Sequence, residues 1–293
     1  MSRTADILLT ALAPSIWGLT FIITTEFLPQ GHPLTVALIR ALPAGLILLA
    51  LLRQLPTGVW WGRVFVLGAL NFTIFFSLLF VSAYRLPGGV AATVGALQPL
   101  VVIVLSTFVL RVPLKAVAIL AALAGVAGVA LLVLTPKAAL DPIGIAAGLI
   151  GATSMAIGTV LTRLWRPPVS PLTFAGWQLT AGGLMLLPLA LFLEPPLPAL
   201  TLGNIGGLAF LGTVGGALAY MLWFRGIGLL GAGAVAPLGL LSPMVAVIAG
   251  WLVLGQTLSI LQTAGILVVL GSVWVGQRSQ LPAVKPVAVA AEA

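Results

Sequence analysis

Residues 95–103 read GALQPLVVI, and residues 239–247, 144 positions later, read GLLSPMVAV. Both stretches are apolar, and both carry a proline at the fifth position. A second pair of matching stretches, PLTVA at 33–37 and PLTFA at 171–175, lies at an offset of 138 positions. Because order and register agree at several places, we interpret the chain as two copies of one unit. The copies cover about 1–137 and 138–276, and a tail follows at 277–293.

The composition is that of a membrane protein. Of the 293 residues, 61% are hydrophobic and 6% are charged, whereas a soluble domain carries about 25% charged residues. The mean hydropathy is +1.24. The 13 basic residues behind the net charge of +8 are scattered along the chain, and the lack of a basic cluster excludes nucleic-acid binding. The absence of cysteine excludes disulfides and thiolate metal sites.

Ten apolar runs are each long enough to cross a bilayer, which takes about 20 residues. They lie at 7–25, 34–52, 64–83, 88–110, 116–135, 143–162, 172–193, 203–224, 232–254 and 258–276. Five runs fall in each copy, and because five is odd, the second copy enters the membrane in the opposite direction. The predicted fold is an all-α integral membrane protein with ten transmembrane helices, arranged as two inverted five-helix repeats. The Pro/Ala-rich tail at 277–293 is predicted to be disordered.

The distribution of basic residues predicts the orientation, because lysine and arginine are concentrated in cytoplasmic loops. With the N-terminus in the cytoplasm, Arg85 and Lys137 lie outside, and Arg40 lies within a span. The inner residues are Arg3, Arg53, Arg63, Arg111, Lys115, Arg163, Arg166, Arg225, Arg278 and Lys285. Both termini are therefore predicted to be cytoplasmic.

The first span contains a Trp-Gly-x-Thr-Phe segment (Trp17, Gly18, Thr20, Phe21), and the fourth and ninth spans each carry a mid-span proline. With ten spans and a 5+5 duplication, residues 1–276 resemble the drug/metabolite transporter (DMT) superfamily, and within it the EamA-type exporters. In detail the chain is similar to the bacterial YddG-type amino-acid exporters. The resemblance implies export of small metabolites, chiefly amino acids and especially aromatic ones, across the inner membrane.

Two alternatives to amino-acid export by alternating access remain. One is an exporter of drugs or other metabolites with the same fold, and the other is a passive pore. No Asp or Glu lies in the middle of a span, so a carboxylate proton relay is not expected. The spans also lack the paired acids, histidine cluster or activated nucleophile that an enzyme or metal site would need. We therefore expect no enzymatic activity, cofactor or metal. The expected partners are a small-molecule substrate and the bilayer, and the sequence is compatible with a monomer.

Two prolines near mid-depth, Pro99 and Pro243, indicate the first candidate binding residues. Because proline has no N–H, each leaves the carbonyl four residues earlier without its helical donor, and these carbonyls belong to Gly95 and Gly239. Two such acceptors would suit a substrate ammonium group. The alternative is that both prolines only kink their helices. The neighbouring polar candidates are Gln98 and Ser242.

Aromatic residues are the second group of candidates. Trp17 lies at mid-depth with Thr20 one turn later, whereas the other seven tryptophans lie in loops or near span ends as interfacial anchors. Trp17 either stacks on an apolar substrate or packs between helices. Tyr220, near the inner end of its span, is interpreted as a gate or as part of the interfacial belt. Phe75 belongs to an aromatic stripe that lines a cavity or packs in the core.

Two polar residues lie inside predicted spans. A lone amide rarely faces lipid, so Asn71 either joins helices or contacts the substrate. Arg40 lies about six residues from the outer end of its span. We favour an ion pair between Arg40 and Glu26, at the outer end of the first span, with a structural or gating role. A carboxylate-binding role for Arg40 is the alternative.

Overall fold

The computed structural model describes residues 3–86, 91, 94–111, 113, 115–133, 141–230, 232–255 and 259–279. Within these ranges every element of regular secondary structure is a helix. Lys137 and residues 280–293 of the predicted tail lie outside the described residues, while residues 277–279 still belong to the last helix.

Ten principal helices follow one another along the described chain, which confirms the number expected from the apolar runs. They are α1 (Arg3–Phe27), α2 (Pro33–Leu52), α3 (Trp60–Arg85), α4 (Gln98–Val109), α5 (Ala116–Val133), α6 (Pro142–Leu164), α7 (Pro171–Leu193), α8 (Leu202–Leu230), α9 (Leu241–Leu254) and α10 (Ile260–Ser279). A short helix, Ala232–Val235, and a 3-10 turn, Ala236–Leu240, precede α9.

The helices are those of a multi-pass membrane protein. Six of them, α1, α2, α3, α6, α7 and α8, are long and apolar enough to span a bilayer, and the other four contain shorter apolar segments. Large apolar side chains cover the outside, with Phe108 77% exposed and Phe192 84% exposed, as a lipid-facing surface requires. The helices α3 and α8 exceed their predicted spans because Arg63 and Arg225 interrupt the apolar runs without ending the helices.

Pro99 and Pro243 each lie in the first turn of an α-helix that directly follows other helical residues. The helix α4 begins at Gln98 after a turn at residues 96–97, so Pro99 belongs to its first turn. Pro243 is the third residue of α9. Regular α-helix is thus interrupted just before each proline, at 96–97 and at Ala236–Leu240, and the kinking role of both prolines stays a prediction. Proline is well tolerated in the first turn of a helix.

The helices α3 and α8 are each interrupted by a π-helical segment. The segments are Ala69–Ile74 and Thr213–Leu218, 144 positions apart. A side chain of a neighbouring helix donates to each: Ser154 Oγ of α6 to the Leu70 carbonyl at 2.9 Å, and Trp17 Nε1 of α1 to the Gly215 carbonyl at 3.0 Å. The segments are thus stabilised from outside their own helices. Such segments are frequent at functional sites.

The antiparallel helices α2 and α7 pack extensively against each other and are joined at both ends. Glu194, just after α7, accepts hydrogen bonds from the backbone N–H (2.8 Å) and the hydroxyl (2.7 Å) of Thr35 in the first turn of α2. A carboxylate at this position satisfies free N–H groups and favours the helix dipole. At the other end, Trp177 and Thr173 donate to Gln54. Trp177 is buried, so its expected role as an interfacial anchor is wrong.

Several packed helix pairs of α1–α5 have counterparts among α6–α10. The helix α3 packs on α6 as α8 packs on α1, and α4 packs on α6 as α9 packs on α1. Close approaches repeat as well. A Cβ at Gly45 would lie 2.5 Å from the Thr180 backbone nitrogen, and a Cβ at Gly183 would lie 2.7 Å from the Leu42 Cα. Gly45 and Gly183 are 138 positions apart, and so are Leu42 and Thr180.

Candidate functional site

A cavity of about 630 Å³ lies between the helices, a volume within the range of small-molecule sites. It is lined by α1, α2, α3, α4, α6 and α8, by the start of α7, and by the residues around the start of α9. Of the residues expected in the site, it brings together Trp17, Thr20, Arg40, Asn71, Phe75, Gly95, Gln98, Pro99, Tyr220, Gly239, Ser242 and Pro243. Glu26 does not line it. Contact of these residues with a substrate stays a prediction.

The two ends of the cavity differ in their exposure. At one end the lining includes the exposed residues Arg166 and Gly228, beside the loop between α6 and α7. At the opposite end the lining residues Phe80 and Ala91 are buried, and Leu86 packs on Ala91. Among the described residues, the end of the cavity beside this loop therefore has exposed lining residues, and Phe80 and Ala91 at the other end are buried.

Aromatic rings form the wall of the cavity on α1, α3 and α8. The ring of Trp17 lies 4.9 Å from that of Tyr220 and 5.1 Å from that of Trp223. Tyr220 in turn lies 5.3 Å from Phe72 and 6.0 Å from Phe224. Tilted and edge-to-face rings at these distances stabilise one another. They form a rigid apolar surface against which a flat side chain can pack.

Tyr220 and Trp223 lie deeper than their sequence positions indicated. Tyr220 is 2% exposed, so it does not belong to an interfacial belt, and Trp223 lines the cavity instead of anchoring at the lipid surface. The reason is the length of α8, which continues to Leu230, about 15 Å beyond Tyr220. The spacing of Tyr220, Trp223, Phe224 and Ile227 places all four on one helix face. That spacing is the signal with which sequence analysis could have found Trp223.

Trp17 packs between helices and also borders the cavity, while its stacking on a substrate stays a prediction. Its indole bond to Gly215 packs it between helices, while its ring borders the cavity. One turn later, Thr20 is buried, and its hydroxyl has no hydrogen-bond partner. Between them, a Cβ at Gly18 would collide with the Ser242 carbonyl oxygen. The helices α1 and α9 therefore meet closely beside the cavity.

Asn71 joins three helices. Its Nδ2 donates to Gln178 Oε1 of α7 at 2.7 Å and to Thr162 Oγ1 of α6 at 3.2 Å. The helix-joining alternative is thus realised, although Asn71 also lines the cavity and its Oδ1 has no partner. Gln178 is fully buried, and sequence analysis missed it. As a lone amide inside a span, it carried the same signal as Asn71.

Gly95 and Gly239 are open positions in the cavity wall. A Cβ at either would have no atom of the described residues within 4 Å, apart from its chain neighbours and its own helix backbone. The two carbonyls differ, however. The N–H of Leu241 hydrogen-bonds to the Gly239 carbonyl, whereas Pro99 leaves the Gly95 carbonyl without an i+4 donor. The expected pair of equivalent free carbonyls is therefore wrong, because the 3-10 turn before α9 satisfies one of them.

Arg40 points inward. It is 3% exposed, and its guanidinium carbon lies 4.8 Å from the ring centroid of Phe76, a cation–π distance. No described residue forms an ion pair with it, so the expected pair with Glu26 is not formed. Glu26 is exposed at the end of α1, whereas Arg40 is enclosed by neighbouring helices. The recorded ion pairs are Arg85–Asp141 and Arg225–Asp6.

The charged side chains of the described cavity lining are all arginines: Arg40, Arg163 and Arg166. The acids lie elsewhere. Outside the cavity, a hydrogen bond from Arg85, helped by the backbone N–H of Ile143, lowers the pKa of the Asp141 carboxyl. Cationic walls without acids give the cavity a positive potential. The described residues contain no cluster of three His, Cys, Asp or Glu that could hold a metal.

Comparison with known proteins places the chain in a family. The model of the EamA-like transporter family matches it twice, over residues 4–134 and 142–275. Protein PecM of Dickeya dadantii (strain 3937) is 46% identical over 267 residues, which are 90% of each chain. A WAT1-related chloroplastic protein of Arabidopsis thaliana is 30% identical over 88% of this chain and 66% of that protein. An uncharacterized transporter of Synechocystis is 29% identical over 93% and 90% of the two chains.

The fold is also shared with a solved structure. A crystal structure at 20% sequence identity superposes with a TM-score of 0.76 and covers 96% of this chain and 100% of the other. At this identity the similarity concerns the fold alone. The two family matches span most of the chain and agree with its apolar helices. The chain therefore belongs to the EamA-like transporter family of the DMT superfamily, and it is a multi-pass membrane transporter.

Proposed function

We propose that this transporter exports small metabolites with an apolar or aromatic side chain, amino acids among them, across the inner membrane of a bacterial cell by alternating access. The observation that carries the proposal is the cavity of about 630 Å³, whose lining includes the exposed residues Arg166 and Gly228 beside the α6–α7 loop. A flat side chain would stack beside Trp17 and Trp223. The unpaired hydroxyl of Thr20 and the carbonyl of Gly95, which lacks an i+4 donor, are polar groups for the other end of the substrate.

Two inverted five-helix repeats, at 1–137 and 138–276, are part of the proposal, because rocking one repeat against the other exposes a midplane site alternately to each side. Three observations support them. The family model matches each half separately, several packed helix pairs of one half have counterparts in the other, and both third helices carry a π segment. With the α6–α7 loop in the cytoplasm, the end of the cavity beside this loop faces the side from which an exporter takes its substrate.

A passive pore and an exporter of drugs or other metabolites are the two alternatives to this proposal, and each predicts different observations. A passive pore needs a continuous path, and the buried residues Phe80, Leu86 and Ala91 at the end away from the α6–α7 loop argue against one. An exporter of drugs or of other metabolites would use the same helices. It would differ in not requiring the α-carboxylate or the α-ammonium group of an amino acid.

Counterflow in proteoliposomes tests the proposal. Vesicles loaded with unlabelled phenylalanine are expected to take up labelled phenylalanine in a saturable manner and faster than empty vesicles. Trp17→Ala and Gln98→Ala are expected to slow this uptake by about tenfold, which corresponds to about 1.4 kcal/mol of lost stabilisation. The control is Trp251→Ala, because Trp251 is 45% exposed and does not line the cavity. Uptake that is linear and independent of the loaded compound would favour a pore. Counterflow that occurs only with loads other than amino acids would favour the exporter of drugs or other metabolites.

The proposed orientation, with both termini in the cytoplasm, is tested by cysteine labelling. The chain has no cysteine, so one introduced cysteine supplies the only thiol. Gln30→Cys, between α1 and α2, is expected to react with a membrane-impermeant maleimide in intact spheroplasts. Thr57→Cys, between α2 and α3, is expected to react only after the membrane is opened. Both positions are exposed, and the reversed pattern would overturn the orientation.

A further inference from the structure

Arg40 occupies an unusual position for a charged residue. It lies seven residues after the first residue of α2, about 10 Å along the helix, which is inside the depth of the hydrocarbon core. An arginine at this depth usually extends its side chain toward the headgroups. Here the side chain is 3% exposed and lies over the ring of Phe76. Arg40 is therefore held inside the protein and is not directed to the membrane surface.

No acid of the described chain neutralises this charge. Asp6 pairs with Arg225, Asp141 pairs with Arg85, and Glu194 caps α2. Glu26 is exposed and does not line the cavity, and Glu292 lies outside the described residues. The Nε of Arg40 has no hydrogen-bond partner, and the residue borders the cavity. A buried charge without a partner is costly, so the position is explained if the partner arrives through the cavity.

We propose that Arg40 is the anion-binding residue of the cavity, and that the transported substrate carries a carboxylate or a similar oxyanion on an aromatic or aliphatic body. This inference rests on the proposed function, since it assigns the substrate class of the same cavity. The planar guanidinium suits a carboxylate because it donates two parallel hydrogen bonds. The unpaired hydroxyl of Thr20 is a further donor on the same cavity wall.

The other charged residues of the cavity lining also favour an anionic substrate. Arg163 and Arg166 line the end of the cavity beside the α6–α7 loop, and the described lining contains no Asp or Glu. The field along the cavity is therefore positive from this end to Arg40, which attracts anions and repels cations. For a substrate ammonium group the wall offers a carbonyl at Gly95 but no carboxylate. The order of binding that follows is anion before zwitterion before cation.

Ligand-induced thermal stabilisation of the purified protein tests this order. Three probes share a phenyl ring: phenylpropionate, phenylalanine and phenethylamine carry an anionic, a zwitterionic and a cationic head. We expect phenylpropionate to raise the Tm of the wild type by about 2–5 °C, phenylalanine to raise it less, and phenethylamine to leave it unchanged. Arg40→Gln is expected to lose the shift. Arg40→Lys should keep a smaller shift, because it retains the charge without the planar fork.

The control is Arg85→Gln, which removes an arginine outside the cavity and should keep the full shift. The proposal is overturned if phenethylamine stabilises the wild type as much as phenylpropionate does, if no probe stabilises it, or if Arg40→Gln keeps the shift. The comparison of the three probes on the wild-type protein tests the proposal even where Arg40→Gln fails to fold. Stabilisation by phenylpropionate without any counterflow would support the anion site and contradict transport. Counterflow that favours phenethylamine would support transport and contradict the anion site.

Discussion

Leucine in place of Gly95 or Gly239 is expected to stop transport while leaving the protein folded. A Cβ at either glycine has no atom of a described neighbouring helix within 4 Å, and both residues line the cavity, so the added side chain would occupy the space of the substrate. Leucine is also a better helix former than glycine by roughly 0.8–1 kcal/mol. We therefore expect counterflow to fall by at least about tenfold, with a Tm equal to that of the wild type or higher.

Gly271→Leu is the matched control for this pair. Gly271 also has no atom within 4 Å of its Cβ position, but it is exposed on α10 and does not line the cavity. This variant should transport at the rate of the wild type. If Gly95→Leu and Gly239→Leu both kept normal counterflow, the substrate would not pass through this cavity. If both lowered the Tm by several degrees, the wall would be packed more tightly than the structure indicates.

The helices were predictable from the sequence because the apolar length that spans a bilayer is a local property of the chain. The residues at which the helices begin and end were less predictable. Hydropathy runs stop at Arg63 and Arg225, but the helices continue past both residues, since the membrane interface accepts a charged side chain on a helix. This error of a few residues in α8 placed Trp223 at the membrane surface instead of beside the cavity, and it left Tyr220 open between a gate and the interfacial belt.

Twelve residues of the cavity lining were selected from the sequence, but their interactions were not predictable. A rare polar or aromatic residue in the middle of an apolar run was enough to select Trp17 and Asn71. Their partners, Gly215 and Gln178, are 198 and 107 positions away, and they depend on how helices from the two halves meet. The π segments gave no signal, because no residue type marks the extra residue of a π turn. For Arg40, sequence distance favoured Glu26 as the partner, although the side chain points the other way.

Alanine in place of Gly45 or Gly183 is expected to destabilise the protein, although alanine is the better helix former. A Cβ at Gly45 would lie 2.5 Å from the Thr180 nitrogen, and one at Gly183 would lie 2.7 Å from the Leu42 Cα. The obstacles are backbone atoms, so α2 and α7 would have to move apart along their contact. Overpacking of this kind costs about 2–3 kcal/mol. Thermal unfolding should show the Tm lowered by about 5–10 °C.

Gly206→Ala is the control, because a Cβ there has no neighbour within 4 Å, and its Tm should stay constant or rise. The comparison of the two test variants is also a test of symmetry. Gly45 contacts Thr180 as Gly183 contacts Leu42, and exchanging the halves at an offset of 138 positions converts one contact into the other. If a two-fold axis relates the repeats, the two Tm losses should be of similar size. A lowered Tm in one variant alone would mean that α2 and α7 pack asymmetrically. The packing of this central helix pair would then no longer be evidence for the inverted repeat.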